Sequence, residues 1–374
     1  MKEETKKNDE TGKNGEEKER GGNADGNKKT ESDLEEREKR LFCDELVADV
    51  RKDFERRRAE RRGLEQQWRL NMNYLSGNQY CEITPNGDVK EEEEDYYWQR
   101  RNVYNHIAPI IETRIAKLAR VRPVMSVRAA GSDEADIKTA RISSEVLNAT
   151  CARAGLDSVI SKATLWCETL GSAFYKITWN PDGGRKLGEA DGETVREGDI
   201  ELTAVSPFEI FPDSLFRSDI ADVKSIIHAR AVSVKDVEEQ YGVIVEGEDV
   251  DVFSLEKPGT KYGSVNGAET GVVHDSVILA ERYERPSKEF PNGRVVTIAG
   301  DKLLAVGDLP YLNGRDGERD FPFVKQDSNS QAGTFFGVSV IERIIPLQRA
   351  YNAVKNRKHE FLSRVSVGVL TVED

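Results

Sequence analysis

The sequence predicts an α+β chain, with a helical first half, a β-rich second half and one long helix near the end. Three observations carry that reading. Apolar residues recur every three or four positions through residues 41–170, the period of helices buried along one side. After Gly171 the period falls to two, the alternation of strands with one covered face. From Ser339 to Arg364 the helical period returns, over roughly 39 Å at the usual rise per residue.

Residues 1–40 are Lys, Glu, Asn, Gly and Asp with almost nothing to bury, so they are expected to form a disordered charged tail. Gly21 and Gly26 have the spacing of a phosphate loop. Asn27 stands where the lysine must be and no strand precedes it, which excludes that reading. Leu41, Leu46, Val50, Phe54, Leu64, Trp68, Met72 and Leu75 then make a helical stripe that Gly77 ends. A basic run on this helix (Arg56, Arg57, Arg58, Arg61, Arg62) reads as a solvated face paired with Asp53, Glu55, Glu60 and Glu65, with contact to DNA or a partner protein as the other reading. The acidic run from Glu91 to Asp95 reads as a solvated loop, because consecutive like charges repel and scatter.

Asn105 is positioned to cap a helix carrying Ile107, Ile110, Ile111, Ile115 and Leu118, which stops at Arg122-Pro123. Two more helices follow at about 133–152 and 157–170, the second with Trp166 as a core residue. Ala173, Tyr175, Ile177 and Trp179 alternate in a strand that turns at Pro181 to Gly184. Further strands are expected at 200–205, 224–232, 272–284, 294–299 and 302–306, with Asn292-Gly293 as a hairpin signal. Ser233 caps a short helix ending at Gly242, and residues 244–270 read as an acidic loop. The long helix contains Pro346, which should kink it or mark its start. Residues 365–372 then read as a strand, and the chain is expected to be truncated after it.

Net charge is −13 in 374 residues, so bulk attraction to nucleic acid is excluded and any DNA contact must be local. No run of apolar residues suits a bilayer and no secretory signal opens the chain, so no membrane partner is expected. The four cysteines, Cys43, Cys81, Cys151 and Cys167, form no C-x-x-C pair and are expected to be reduced. The four histidines are unpaired in sequence. No nucleophile elbow, phosphate loop, dinucleotide fingerprint, zinc-protease or kinase signature occurs. The expectation is a protein that is not an enzyme, with no catalytic residues, metal, cofactor or small-molecule ligand.

A series of segments is similar to the portal proteins of tailed bacteriophages, across residues 50–374. They are Trp68-x-x-Asn71-x-x-Tyr74-x-x-Gly77-x-Gln79-Tyr80, then Asn102-Val103-Tyr104-Asn105 to Arg122-Pro123 with a strand around Val127. Glu168-x-x-Gly171 runs into Tyr175 to Trp179, and Val205-x-Pro207-Phe208 leads to Asp213. Val232-Ser233 to Tyr241-Gly242, Pro322-Phe323-Val324, Phe336-Gly337-x-Ser339 and Gln348 with Tyr351-Asn352 complete the series. Tyr80 departs from the pattern, where tryptophan is common.

The resemblance implies a dodecameric ring with a wing at 41–338, helical over 41–170 and β-rich over 171–338. It implies a first stem helix at 339–364 and the start of a clip at 365–374. The implied partners are other copies of the chain, double-stranded DNA in the channel, the terminase large subunit, scaffold and major capsid protein, and a head–tail adaptor. The implied location is the portal vertex of the virion, after assembly in the host cytoplasm. Arg349, Lys355, Arg357, Lys358 and Arg364 are candidate cations, facing the channel or pairing with acids of a neighbouring copy. Tyr96, Tyr97 and Trp98 are candidate aromatics for a subunit interface, with ordinary core packing as the other reading. Two other functions stay open: a cytoplasmic acidic module that binds protein partners, and a carboxylate- or metal-dependent nuclease.

Overall fold

The computed structural model describes residues 22–83, 89–91, 101–120, 125–190, 193–256, 271–309, 319–366 and 368. Tyr96, Tyr97 and Trp98, the acidic run after Glu91, the Arg122-Pro123 stop and residues 369–372 of the expected last strand lie outside them. The chain divides into two units, residues 1–49 and 50–374. The first helix, α1 (Gly22–Ser76), begins inside the stretch whose composition predicts disorder. Its early residues are rich in Lys, Glu and Arg, which form helix well without a core to bury.

In the second unit β1 (Cys81–Ile83) and β2 (Val89–Glu91) form a small hairpin, followed by α2 (Ile107–Ala119), α3 (Glu134–Arg153) and α4 (Leu156–Leu170). Asn105 does cap α2: its side-chain oxygen accepts from the amides of Ile107 and Ala108, at 3.1 and 3.2 Å. The strand expected around Val127 is not formed; that backbone instead bonds the Ser144 hydroxyl of α3.

Next come β3 (Ser172–Asn180), the hairpin β4 (Lys186–Ala190) and β5 (Glu193–Arg196), β6 (Asp199–Val205) and β7 (Ile210–Pro212). They lead to β8 (Ser225–Ser233), α5 (Val234–Tyr241), β9 (Glu248–Asp251), β10 (Val272–Glu284), β11 (Arg294–Ala299), β12 (Lys302–Gly307), β13 (Phe323–Asp327) and α6 (Val340–Ser366). Ser233 stands at the start of α5, but its hydroxyl makes no capping bond.

Among the described residues, all strand pairs are antiparallel. One sheet runs β13-β3-β6, the other β12-β11-β10-β8-β7 with β9 on β10. Asn292-Gly293 does sit between paired strands, but Glu284 faces Arg294, so the connection is a nine-residue loop (285–293) rather than a two-residue turn. The main core fills the space between the sheets and α1, with Trp68, Phe174, Phe208, Ile226, Phe321, Phe323, Phe335 and Phe336 buried together. Several aromatic rings there meet edge to face, as Trp68 does with Phe208 and Phe336 at 5.2 and 5.0 Å, while Phe174 and Phe335 stack.

The basic run of α1 departs from its solvated reading. Arg57 and Arg61 are buried. Arg57 donates to the carbonyls of Phe211 and Ser225 and pairs with Asp53 at 2.6 Å. Arg61 donates to the carbonyls of Pro207, Phe208 and Ile210, pairs with Glu65 at 2.6 Å and lies 3.7 Å over the Phe211 ring. The segment 207–212 presents the carbonyls of Pro207, Phe208, Ile210 and Phe211 to α1. Two guanidinium forks satisfy them and fasten the turn to α1. Arg56 keeps the expected role, exposed between Asp53 and Glu60.

A second buried polar group joins the two sheets. Glu281 of β10 receives Lys176 of β3, the Tyr283 hydroxyl at 2.8 Å and the His228 ring of β8 at 3.1 Å, all on one carboxylate oxygen. The other ring nitrogen of His228 faces Glu209 at 3.4 Å. Burial alone would raise the Glu281 pKa. The bonds and charges of His228 and Lys176 outweigh it and hold the carboxyl well below the usual range.

All four cysteines are free thiols, as expected. Burial beside Glu168 pushes the Cys167 thiol up to about 12, so it carries no thiolate at neutral pH.

Candidate functional site

Several of the segments that carry the family resemblance meet at the root of α6. Ser339 caps that helix: its hydroxyl accepts from the Ile341 amide at 3.0 Å and donates to the Glu168 carbonyl at 2.7 Å. The Glu168 side chain pairs with Arg114 of α2 at 2.6 Å and accepts from Ser328. Gly171 ends α4 with φ +99°, and its backbone lies against Gly337 so closely that a Cβ would stand 2.3 Å from the Gly337 oxygen. Only glycine fits both the conformation and the space. Below this joint Ile341 and Ile345 pack on Leu70, Tyr74, Cys81, Ile107 and Ile111.

Above Ile345 the buried residues of α6 are three amides, Gln348, Asn352 and Asn356, four positions apart. They face the segment Asn102–His106. Gln348 accepts from the His106 amide at 3.2 Å and donates to the Tyr104 carbonyl at 2.7 Å. Asn352 accepts from the Tyr104 amide at 3.1 Å. Asn356 accepts from the Asn102 amide at 3.2 Å and donates to its carbonyl at 3.0 Å. Four residues of helix rise about 6.0 Å and two residues of extended chain about 6.6–6.8 Å, so the two repeats match closely enough for a ladder. Asn352 also donates to Gln79, and Asn356 to the Tyr80 hydroxyl, both at 2.7 Å. Tyrosine in place of the commoner tryptophan therefore supplies an acceptor to the ladder.

Among the described residues, the opposite face of α6 is largely uncovered. Leu347, Val354, Phe361 and Val365 are exposed, and with Lys358 and the edge residue Tyr351, whose ring meets His106, they step 4, 3, 4, 3, 4 along the chain. That is the spacing of a helix–helix packing seam, with one charged position in it.

The five candidate cations divide by environment. Arg349 is taken up within the chain: it donates to the Tyr74 hydroxyl and to the Cys81 carbonyl, and pairs with Glu82 at 3.3 Å. Burial alone would lower its pKa, but the bond to Tyr74 and the nearby acids raise it. Arg364 pairs with Glu360 on its own helix, and the Lys355 ammonium sits 5.3 Å over the Tyr351 ring. Arg357 and Lys358 are exposed, with no ion-pair partner among the described residues. The amide ladder is the feature that periodicity misses. Its signal was there, because amides recurring every four residues on the buried side of a helix need a specific partner.

Among the described residues no three His, Cys, Asp or Glu gather as a metal site, and no helix is long and apolar enough to cross a membrane. What the geometry defines is a mixed α/β body holding one long helix firmly by its first half. The model of the phage P22-like portal protein family matches residues 51–371, and the chain belongs to that family. Portal proteins are structural components of phage particles, at the junction of head and tail. No curated protein matches the chain.

Proposed function

We propose that the chain is one subunit of a twelve-membered portal ring, which forms the channel for double-stranded DNA entering and leaving the capsid. In this reading residues 41–338 are the wing, 339–364 the first stem helix, and 365 onward the approach to a clip that docks the terminase large subunit and the head–tail adaptor. Scaffold and major capsid protein are the partners around the wing.

The observation that carries the reading is the bare seam of α6. An exposed stripe of Leu347, Val354, Phe361 and Val365 on a rooted helix is an interface in search of another helix. A ring supplies one from each neighbouring copy. Lys358 within the seam would fix its register, as a single charged position does in packed helices. The net charge of −13 per subunit suits a channel through which DNA must slide, because it disfavours tight phosphate contacts. The family match weighs against the acidic binding module and the nuclease.

Phage carrying Arg357→Gln together with Lys358→Gln tests the assignment. The expected result is fewer assembled rings or poorer DNA retention, read by particle counts and by genome content per particle. A normal yield of particles with full genomes would remove α6 from the stem.

A further inference from the structure

We propose that α6 is a hinged lever: it pivots at Pro346, and the amide ladder to residues 102–106 is the latch that sets its angle to the body. Four independent features of the helix carry this. Its apolar anchorage ends at Ile345, the last buried aliphatic residue. The next residue is Pro346, inside the helix, which has no N–H to give the Glu342 carbonyl and whose ring crowds that carbonyl. Beyond it the grip is polar and aromatic. The ladder of Gln348, Asn352 and Asn356 holds Asn102, Tyr104 and His106 by their backbone. Tyr351 meets the His106 ring at 4.6 Å, and His359 stacks on Tyr104 at 6.0 Å. Finally Leu347, Val354, Phe361 and Val365 on the outer face are exposed, so among the described residues no aliphatic packing on that side opposes a swing.

The chemistry of the latch suits release. Neutral amide bonds exchange for water bonds at small net cost once they open, whereas the aliphatic root loses burial if it moves. Most of the grip is on one segment: the ring contacts are all to Tyr104 and His106, and only the bonds of Asn352 to Gln79 and of Asn356 to the Tyr80 hydroxyl reach elsewhere and must open with them. When the ladder opens, those rings leave together. Arg349, bonded to Tyr74 and Cys81 just past the proline, stays close to the pivot and does not block the motion. The lever is a property of this chain alone and does not depend on ring formation.

Hydrogen–deuterium exchange of the full chain tests the lever, comparing wild type with Asn352→Ala/Asn356→Ala and with Pro346→Ala. A lever that swings as a rigid helix exposes the amides of Asn102, Tyr104 and His106 while its own backbone bonds stay closed. The double variant is expected to exchange the 101–106 peptide at least about tenfold faster, with α6 amides at 347–366 unchanged. Pro346→Ala stiffens the pivot, and the same peptide is expected to exchange more slowly than in wild type. Two results would overturn the proposal. One is equal acceleration in α6 and in 101–106, which means the helix unravels rather than pivots. The other is unchanged exchange of 101–106 in Pro346→Ala, which means the proline is no hinge.

Discussion

Replacing Arg61 with methionine is expected to cost the fold about 4 kcal/mol, read as a shift in urea unfolding. Arg61 is among the largest fully buried side chains, and its guanidinium holds three carbonyls and the Glu65 carboxylate at once. Methionine fills much of the volume and supplies none of those donors. Glu65, whose pKa burial already pushes up, would be left as a buried carboxyl without its partner. Adding Glu65→Leu is expected to recover part of the loss, because removing both charges ends the desolvation cost of each. Recovery stays partial, since the carbonyls of Pro207, Phe208 and Ile210 still lose the donor that Arg61 supplied. An Arg61→Met chain as stable as wild type would contradict this account of how α1 is fastened.

Glu281→Gln is expected to cost about 3 kcal/mol at neutral pH, since it leaves Lys176 buried without its counter-charge. The pH dependence has a definite sign. The Glu281 carboxyl titrates below its ordinary value of 4.5 in the fold, so the unfolded chain binds its proton first as pH falls. The stability it contributes is fully present above about pH 4.5 and drains away as pH drops towards the depressed folded value. The part of the gap that Glu281 itself contributes should therefore narrow as pH falls below about 4.5. A gap that widened as pH fell from about 4.5 would mean that Glu281 is not held ionised by Lys176 and His228.

Much of this architecture is legible in the sequence, and the failures share a cause. The change of period at Gly171 marks the junction of α4 and β3 because glycine there is required by both a left-handed turn and the contact with Gly337. The β10 and β11 strands stand where the sequence places them, on either side of the Asn292-Gly293 signal. The short hairpins β1–β2 and β4–β5 and the edge strand β13 were missed, because three to five residues give too few alternations to count.

The buried arginines were missed for a different reason. An arginine with an acid three or four residues away looks solvated. The clue lay in the stripe of α1, which reads Val50 and Phe54, then resumes at Leu64 and Trp68. Arg57 and Arg61 occupy the gap on that same face. Likewise the ladder of α6 shows in sequence only as amides at 348, 352 and 356; the backbone they hold is more than 240 residues away. Spacing along one helix reveals a buried polar face, but its partner is set by the tertiary fold.

The central claim is that copies of this chain close into a ring through α6. The most direct measurement is electron microscopy of the purified product of the whole reading frame. The account predicts closed rings with a central hole, twelve-fold by rotational averaging. A folded product that remains uniformly monomeric across concentration would contradict it.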